Sequence, residues 1–186
     1  MVRHLHFRED MTEEFVQPLV GKVEEILSNP EDTVRLFFDS GGGEYPILLM
    51  LLSLTSENPE RIEIVFCNSA HSAAFTLLLF APCKVRVAHD IGCIAHLFTL
   101  SCNDERGMDR RLSISQERQD GIAKVNDLLC GVMAEAGMEE GKLELFCKRQ
   151  DVVLGRDEVV AMRNRVQALL GTDSKSRLFM DALLCK

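Results

Sequence analysis

Ser72 stands in a turn of small residues between a strand and a helix, Asn68-Ser69-Ala70-His71-Ser72-Ala73-Ala74, directly ahead of the very apolar stretch to Phe80. A hydroxyl at the entrance of such a helix lies near the positive end of its dipole. There the Ala73 amide can stabilise the anion formed when Ser72 attacks a carbonyl. Taken alone, the placement better suits a helix cap by Ser69 or Ser72, the plainer use of serine at a helix start. Nucleophilic chemistry also needs a base. Of the five histidines, His4 and His6 read as exposed residues near the start, His89 adjoins Asp90 in a turn, and His71, preceding Ser72, points away from it. His96 ends the apolar run Ile91 to Ala95, where an imidazole is either satisfied by a backbone carbonyl or put to use. Position favours His96 as the base. A third feature, Asp39-Ser40-Gly41-Gly42-Gly43, lets backbone amides approach a ligand closely and could hold an anion or oxyanion. It lacks the Gly-Lys-Ser/Thr of a phosphate loop and the G-x-G-x-x-G of a dinucleotide site, and a simple tight turn is its other reading.

These residues must be positioned by strands and helices that alternate along the chain. Apolar residues from Phe15 to Leu27 recur at helical spacing, so Thr12 to Leu27 is predicted to be an amphipathic helix, with Pro18 in its first turns and Asn29-Pro30 as its stop. Val34 to Asp39 reads as a buried strand, Tyr45 to Leu54 as a helix, Arg61 to Cys67 as a second strand and Ser72 to Phe80 as a helix apolar all round. Lys84 to Ala88 and Ile91 to Ile94 read as short strands, and 103–109 as a polar loop. A long helix is expected from about Leu112 to Ala136, ending at Gly137. Glu139 to Lys148 reads as a short helix, Val152 to Leu154 as a strand, and Asp157 to Leu170 as a helix capped at Asp157 and stopped by Gly171. The amphipathic tail from Ser174 is expected to pack on another subunit or on the body. Repeated strand-turn-helix crossover units imply an α/β fold with its loops, and hence its chemistry, at the carboxyl ends of the strands.

Composition bounds the alternatives. The 186 residues are 46% hydrophobic, enough for one core, and a single domain over 1–186 is expected. No run approaches the ~18 apolar residues of a membrane span, and the first ten residues are too polar for a secretory signal, so no membrane partner and a cytoplasmic setting are expected. Seven cysteines, odd in number and without Cys-x-x-Cys pairing, read as reduced thiols rather than metal ligands or disulfides. No metal and no other cofactor is expected. A net charge of −8 without a basic stripe argues against nucleic acid, and Arg110-Arg111 and Lys148-Arg149 read as solvated faces.

Ser40-Gly-Gly-Gly43 after a strand, Ala70-His-Ser72-Ala-Ala, Ile94-Ala-His96 and Arg149-Gln-Asp151 with Glu158 beyond, taken in this order, resemble the caseinolytic peptidase (ClpP) family of self-compartmentalising serine proteases. Its members typically carry Asn-Ser-Pro-Gly-Gly, Gln-Ala-Ala-Ser-Met-Gly, Met-Ile-His-Gln-Pro and Arg-Asp followed by Ser-Ala-x-Glu-Ala. The match runs from about Val34 to Ala161, roughly two-thirds of the chain. The order Ser, His, Asp differs from that of chymotrypsin, subtilisin and the α/β-hydrolases. The resemblance implies a ClpP/crotonase-like fold and a serine-type peptidase with Ser72 as nucleophile, His96 as general base and then acid, and Asp151 orienting the imidazole. Against Asp151 stand a solvated loop carboxylate and Asp157. By the same resemblance Gly43 and Ala73 supply the oxyanion-hole amides. Peptides or unfolded proteins are the implied substrates and a ring-like homo-oligomer the implied assembly, with the 112–136 helix in the place of the inter-ring handle.

The sequence departs from the family at Gly41 for proline, His71 for alanine, Ala73 for methionine and Leu97-Phe98 for Gln-Pro. The stretch from His96 to Asp151 is several residues longer, and 97–108 replaces a glycine-rich strand that helps bind substrate. The segment before Thr12 is shorter than the family's axial-loop region, which argues against an ATP-dependent unfoldase partner. Two other readings carry weight. One is a catalytically silent ClpP-like binding or structural subunit. The other is a crotonase-like acyl-CoA enzyme, which also uses two backbone amides as an oxyanion hole but needs no serine nucleophile.

Overall fold

The computed structural model describes residues 1–99, 116–172 and 174–183; the expected loop at 103–109, the start of the long helix at 112–115 and Arg110-Arg111 lie outside these. In chain order the elements are β1 (Val2–Phe7), α1 (Glu13–Leu27), β2 (Thr33–Ser40), α2 (Tyr45–Glu57), β3 (Ile62–His71), α3 (Ala73–Phe80), β4 (Lys84–Val87) and β5 (Gly92–Ala95). They continue with α4 (Gln116–Glu135), α5 (Glu140–Cys147), β6 (Val152–Leu154), α6 (Arg156–Leu169) and α7 (Lys175–Leu183). The expected alternation of strand and helix is present, in one mixed α/β domain built on a sheet of order β1-β2-β3-β5-β6, with β4 also paired to β3. All pairings are parallel except the antiparallel β5–β6 edge.

β2 alternates residue by residue, with Val34, Leu36, Phe38 and Ser40 buried and their neighbours half-buried. The sheet is therefore covered unequally on its two faces. β1, which composition does not announce, pairs along its whole length with β2. Only Phe7 of its six residues is fully buried, so it carries the weak pattern of an edge strand. His4 and His6 are exposed as expected, and His6 stacks on Phe37 at 4.8 Å.

The central irregularity is in β3. Asn68 to His71 do not form the turn expected of them but continue the strand after a register shift: Phe38 pairs with Phe66, whereas Ser40 pairs with Ala70. Two extra residues in β3 make a bulge, which bends and re-aims a strand. Before the bulge β3 pairs with β4; after it, Ser69, Ala70 and His71 pair with Gly92, Cys93 and Ile94 of β5. Asp39 ties the bulge down. Its carboxylate accepts from the Ser69 amide at 3.0 Å, the Ser69 hydroxyl at 2.5 Å and the Asn68 side chain at 2.6 Å. Burial pushes the Asp39 pKa up, but these hydrogen bonds outweigh it and hold the carboxyl below its usual 3.8.

Every residue of α3 is buried, so the carbonyls at its end cannot turn to water. Arg163 of α6 satisfies them, its guanidinium donating to the carbonyls of Leu78, Leu79, Ala81 and Cys83 at 2.6–3.2 Å. Burial lowers the Arg163 pKa to about 10, which leaves it charged near neutral pH. The cost of that buried charge is offset by four charge-assisted bonds.

α4 ends at Gly137 as expected, with φ 80° there. The tail folds back as α7, burying Phe179 and Leu183 and packing the Phe179 ring 4.8 Å from Phe80; it covers the body of its own chain. α6 is not capped by Asp157. Gly155 is the cap residue and its amide donates to Glu158 at 2.8 Å, while Asp157 is exposed and pairs with Arg156. The side chain at N3 reaches back better than one at N2 can. Among the described residues no helix is long and apolar enough to cross a membrane.

Candidate active site

Ser72 sits between β3 and α3 with φ 54° and ψ −120°, a backbone region that non-glycine residues adopt only when their surroundings over-determine it. The surroundings here are specific. The Ser72 amide donates to the Ile94 carbonyl of β5 at 2.9 Å, and its carbonyl accepts from the Thr76 amide at 3.1 Å, so one residue completes the sheet and opens the helix. Small neighbours permit the sharp turn: Ala70, Ala73 and Ala74 are all buried.

Neither serine is a cap. The Ser72 side chain makes no capping hydrogen bond, and Ser69 is spent on Asp39. The plainer reading of Ser72 is thereby overturned. A strained strand-to-helix turn that leaves a hydroxyl uncommitted is how nucleophilic serines are presented in α/β-hydrolases.

The glycine turn lies directly against it. Gly42, at φ 98°, has no room for a side chain: a Cβ there would fall 2.6 Å from the Ser72 Cβ, 2.6 Å from the His71 carbonyl and 3.1 Å from the Ala73 amide nitrogen. The turn is docked on Met11 by the Met11 amide on the Gly42 carbonyl at 2.7 Å and the Glu44 amide on the Met11 carbonyl at 2.9 Å. Those bonds leave the Gly43 amide out. Ala73, as the first residue of α3, has an amide without a partner inside the helix. The two amides expected to form an oxyanion hole thus belong to segments in contact around Ser72.

Strand register brings the other two residues to the same end of the sheet. His71 pairs with Ile94, and His96 follows β5 directly. In the antiparallel β5–β6 pair the partners are Cys93 with Leu154, Ile94 with Val153 and Ala95 with Val152; carried one residue further, this register sets Asp151 opposite His96. The chain reaches that point by leaving α5 through Arg149, at φ 63°, whose amide donates to the Phe146 carbonyl at 2.9 Å. The His71 ring reaches β5, its Nε2 3.9 Å from where a Gly92 Cβ would lie.

Backbones converge further than side chains do. Among the described residues no hydrogen bond joins Ser72 to His96 or His96 to Asp151. Instead His96 Nδ1 lies 2.8 Å from the Leu97 carbonyl, the backbone satisfaction that an apolar setting favours, and Asp151 is exposed. Because a carbonyl only accepts, this contact puts the proton on Nδ1 and leaves the Nε2 lone pair to act as a base. Leu97-Phe98-Thr99 is itself held from two sides. Asn126 of α4 clamps the Phe98 backbone, and the Tyr45 ring meets the Phe98 ring edge-on at 5.4 Å.

Sequence reasoning named Asp39 and Gly42 only as members of the glycine run, without these roles, and passed over Asn126. Asn126 carried a signal: it falls at core-face spacing between Ile122 and Leu129 in a helix whose other residues on that face are apolar.

No family model and no curated protein matches the chain.

Proposed function

We propose that the chain is a serine-type peptidase that hydrolyses peptide bonds through an acyl-enzyme. The observation that carries this reading is the Ser72 backbone, strained at φ 54° and ψ −120° with a hydroxyl that makes no capping bond and a side-chain-free glycine pressed against it. Strain of this kind costs about 1–3 kcal/mol and collects at functional positions. A capping serine needs none of it.

On this reading His96 Nε2 takes the Ser72 hydroxyl proton as Oγ attacks the scissile carbonyl. The tetrahedral oxyanion is met by the Gly43 and Ala73 amides. The C–N bond then breaks as the imidazolium returns the proton to the leaving amine, and water repeats the sequence to release the acid and regenerate Ser72. Asp151 stabilises the imidazolium from across the β5–β6 register. Catalytic hydrogen bonds that are long or absent without substrate often form only in the Michaelis complex. Peptides or unfolded chains are the substrates, and a homo-oligomeric ring the assembly, which sedimentation measures.

A second reading, a ClpP-like binding subunit without activity, is favoured by one feature: the Leu97 carbonyl, not Asp151, holds His96 Nδ1. A fluorophosphonate probe separates the two. Covalent labelling of the wild type, lost in Ser72→Ala and slowed strongly in His96→Ala, supports the peptidase. A folded chain that takes no label is the binding subunit. Labelling that persists in Ser72→Ala puts the nucleophile elsewhere.

A further inference from the structure

We infer that Asn126 is a positioning residue for His96, acting through the single peptide unit between Leu97 and Phe98. This deepens the peptidase reading and rests on it for its catalytic meaning, though not for its geometry.

Asn126 is 3% exposed, and its side-chain amide is used at both ends. Phe98 N–H donates to Asn126 Oδ1 at 2.9 Å, and Asn126 Nδ2 donates to the Phe98 carbonyl at 2.9 Å. A side chain that answers both the donor and the acceptor of one residue imitates a neighbouring strand. It fixes the direction of a segment that lies beyond the end of β5.

The Phe98 N–H shares a planar trans peptide with the Leu97 carbonyl, and the structure has no cis bond among its described residues. In such a unit the N–H and C=O point in opposite directions. Holding the N–H on Asn126 therefore aims the carbonyl the other way, and that carbonyl lies 2.8 Å from His96 Nδ1. The chain of contacts runs from Asn126 Oδ1 to Phe98 N–H, through one rigid plane, to the Leu97 carbonyl and the imidazole. Each bond polarises the next in the same sense. Asn126 thereby governs which nitrogen of His96 keeps the proton and where Nε2 faces, without touching substrate or the reacting atoms.

Burial of an amide with both ends satisfied also has a purely structural use, so the test reads the imidazole itself. In full-length protein, the ¹⁵N shifts of the neutral His96 ring report its tautomer, beside fluorophosphonate labelling rates and thermal midpoints, for wild type, Asn126→Leu, Asn126→Asp and Thr55→Val. Thr55 is buried and, among the described residues, its hydroxyl bonds within its own helix, which makes its variant a control for stability loss alone. The expected result is an Nδ1–H tautomer in wild type and Thr55→Val, a mixture in Asn126→Leu, and labelling slowed about 10–100-fold in that variant. Should Asn126→Leu fail to fold, Asn126→Asp, which keeps the acceptor for Phe98 N–H, is read instead: it retains the wild-type tautomer. An unchanged tautomer in a folded Asn126→Leu overturns the inference whatever the labelling does, and so does a shift of equal size in Thr55→Val. A wild type that takes no label while its tautomer depends on Asn126 overturns the peptidase and leaves the positioning intact.

Discussion

Gly42 and Ser72, thirty residues apart, are packed so closely that a methyl group on the first would fall 2.6 Å from the Cβ of the second. Their contact joins the turn after β2 to the turn after β3, the two places where the sheet's carboxyl end can offer amides and a hydroxyl together. It leaves no room for a side chain at position 42, as the Met11 backbone leaves none at position 43.

Gly42→Ala is expected to cost at least about 2 kcal/mol, from the left-handed φ and the overlap with His71 and Ser72, and to abolish probe labelling. Gly41→Ala meets only the Asp10 carboxylate end, at 3.1 Å, and is expected to change stability by less than about 1 kcal/mol. Urea unfolding of the two variants checks the contrast; equal losses would mean that the Gly42–Ser72 contact is not tight in solution.

Ser72→Gly is expected to stabilise the fold by about 1 kcal/mol, since glycine relieves the positive φ at a smaller entropic cost. Ser72→Ala keeps the strain and has no capping bond to lose, so it should stay within about 0.5 kcal/mol of wild type, where loss of a true cap costs about 1 kcal/mol. Thermal melts of both decide this. A marked loss in Ser72→Ala would restore the cap.

The Asp39 carboxyl is held below 3.8 in the fold because the bonds from Ser69 and Asn68 outweigh its burial. A depressed carboxylate gives stability that is complete above the unfolded value and is lost as pH falls through the folded one. Asp39→Asn should therefore be less stable than wild type at pH 7, and the gap should be narrower at about pH 3. Melting curves at both values test this; a gap independent of pH would show that the charge on Asp39 does not hold the bulge.

Arg163→Met takes the guanidinium from the carbonyls of Leu78, Ala81 and Cys83 in a buried place, while Leu79 keeps its bond from the Gln167 side chain at 2.8 Å, and a loss of about 3 kcal/mol or more is expected. Arg163→Lys should recover little, because one ammonium cannot reach four carbonyls in the planar arrangement of a guanidinium. Denaturant midpoints measure both. Full recovery by lysine would mean that charge, not geometry, caps the helix.

Elements with a strong period or a clear stop were legible from the residues alone. α1, α3, the end of α4 at Gly137 and the β6 strand fall where apolar spacing and turn residues put them. β1 was not legible: an edge strand with one buried residue needs little apolar pattern, and its partner lies some thirty residues away. The bulge was hidden for a related reason. Asn68 to His71 read as a turn by composition, and only Asp39, from another strand, makes them a strand. The cap of α6 was misplaced by two residues because Asp157 and Glu158 are both acidic, and geometry chooses the one three residues from the cap.

The amino-acid sequence by itself determined the inventory: an α/β alternation, one core, a serine before a buried helix, a glycine run before another, and a histidine after a short strand. Propensity, periodicity and side-chain chemistry are local, and local properties survive in a linear text. The tertiary structure alone decided that Ser72 is strained rather than capped, that Gly42 is the glycine against it, that Asp151 stands in register with His96, and that Asn126 aims the peptide on which His96 rests. Those are relations between segments tens of residues apart, created by strand register and close packing, and no single segment encodes them.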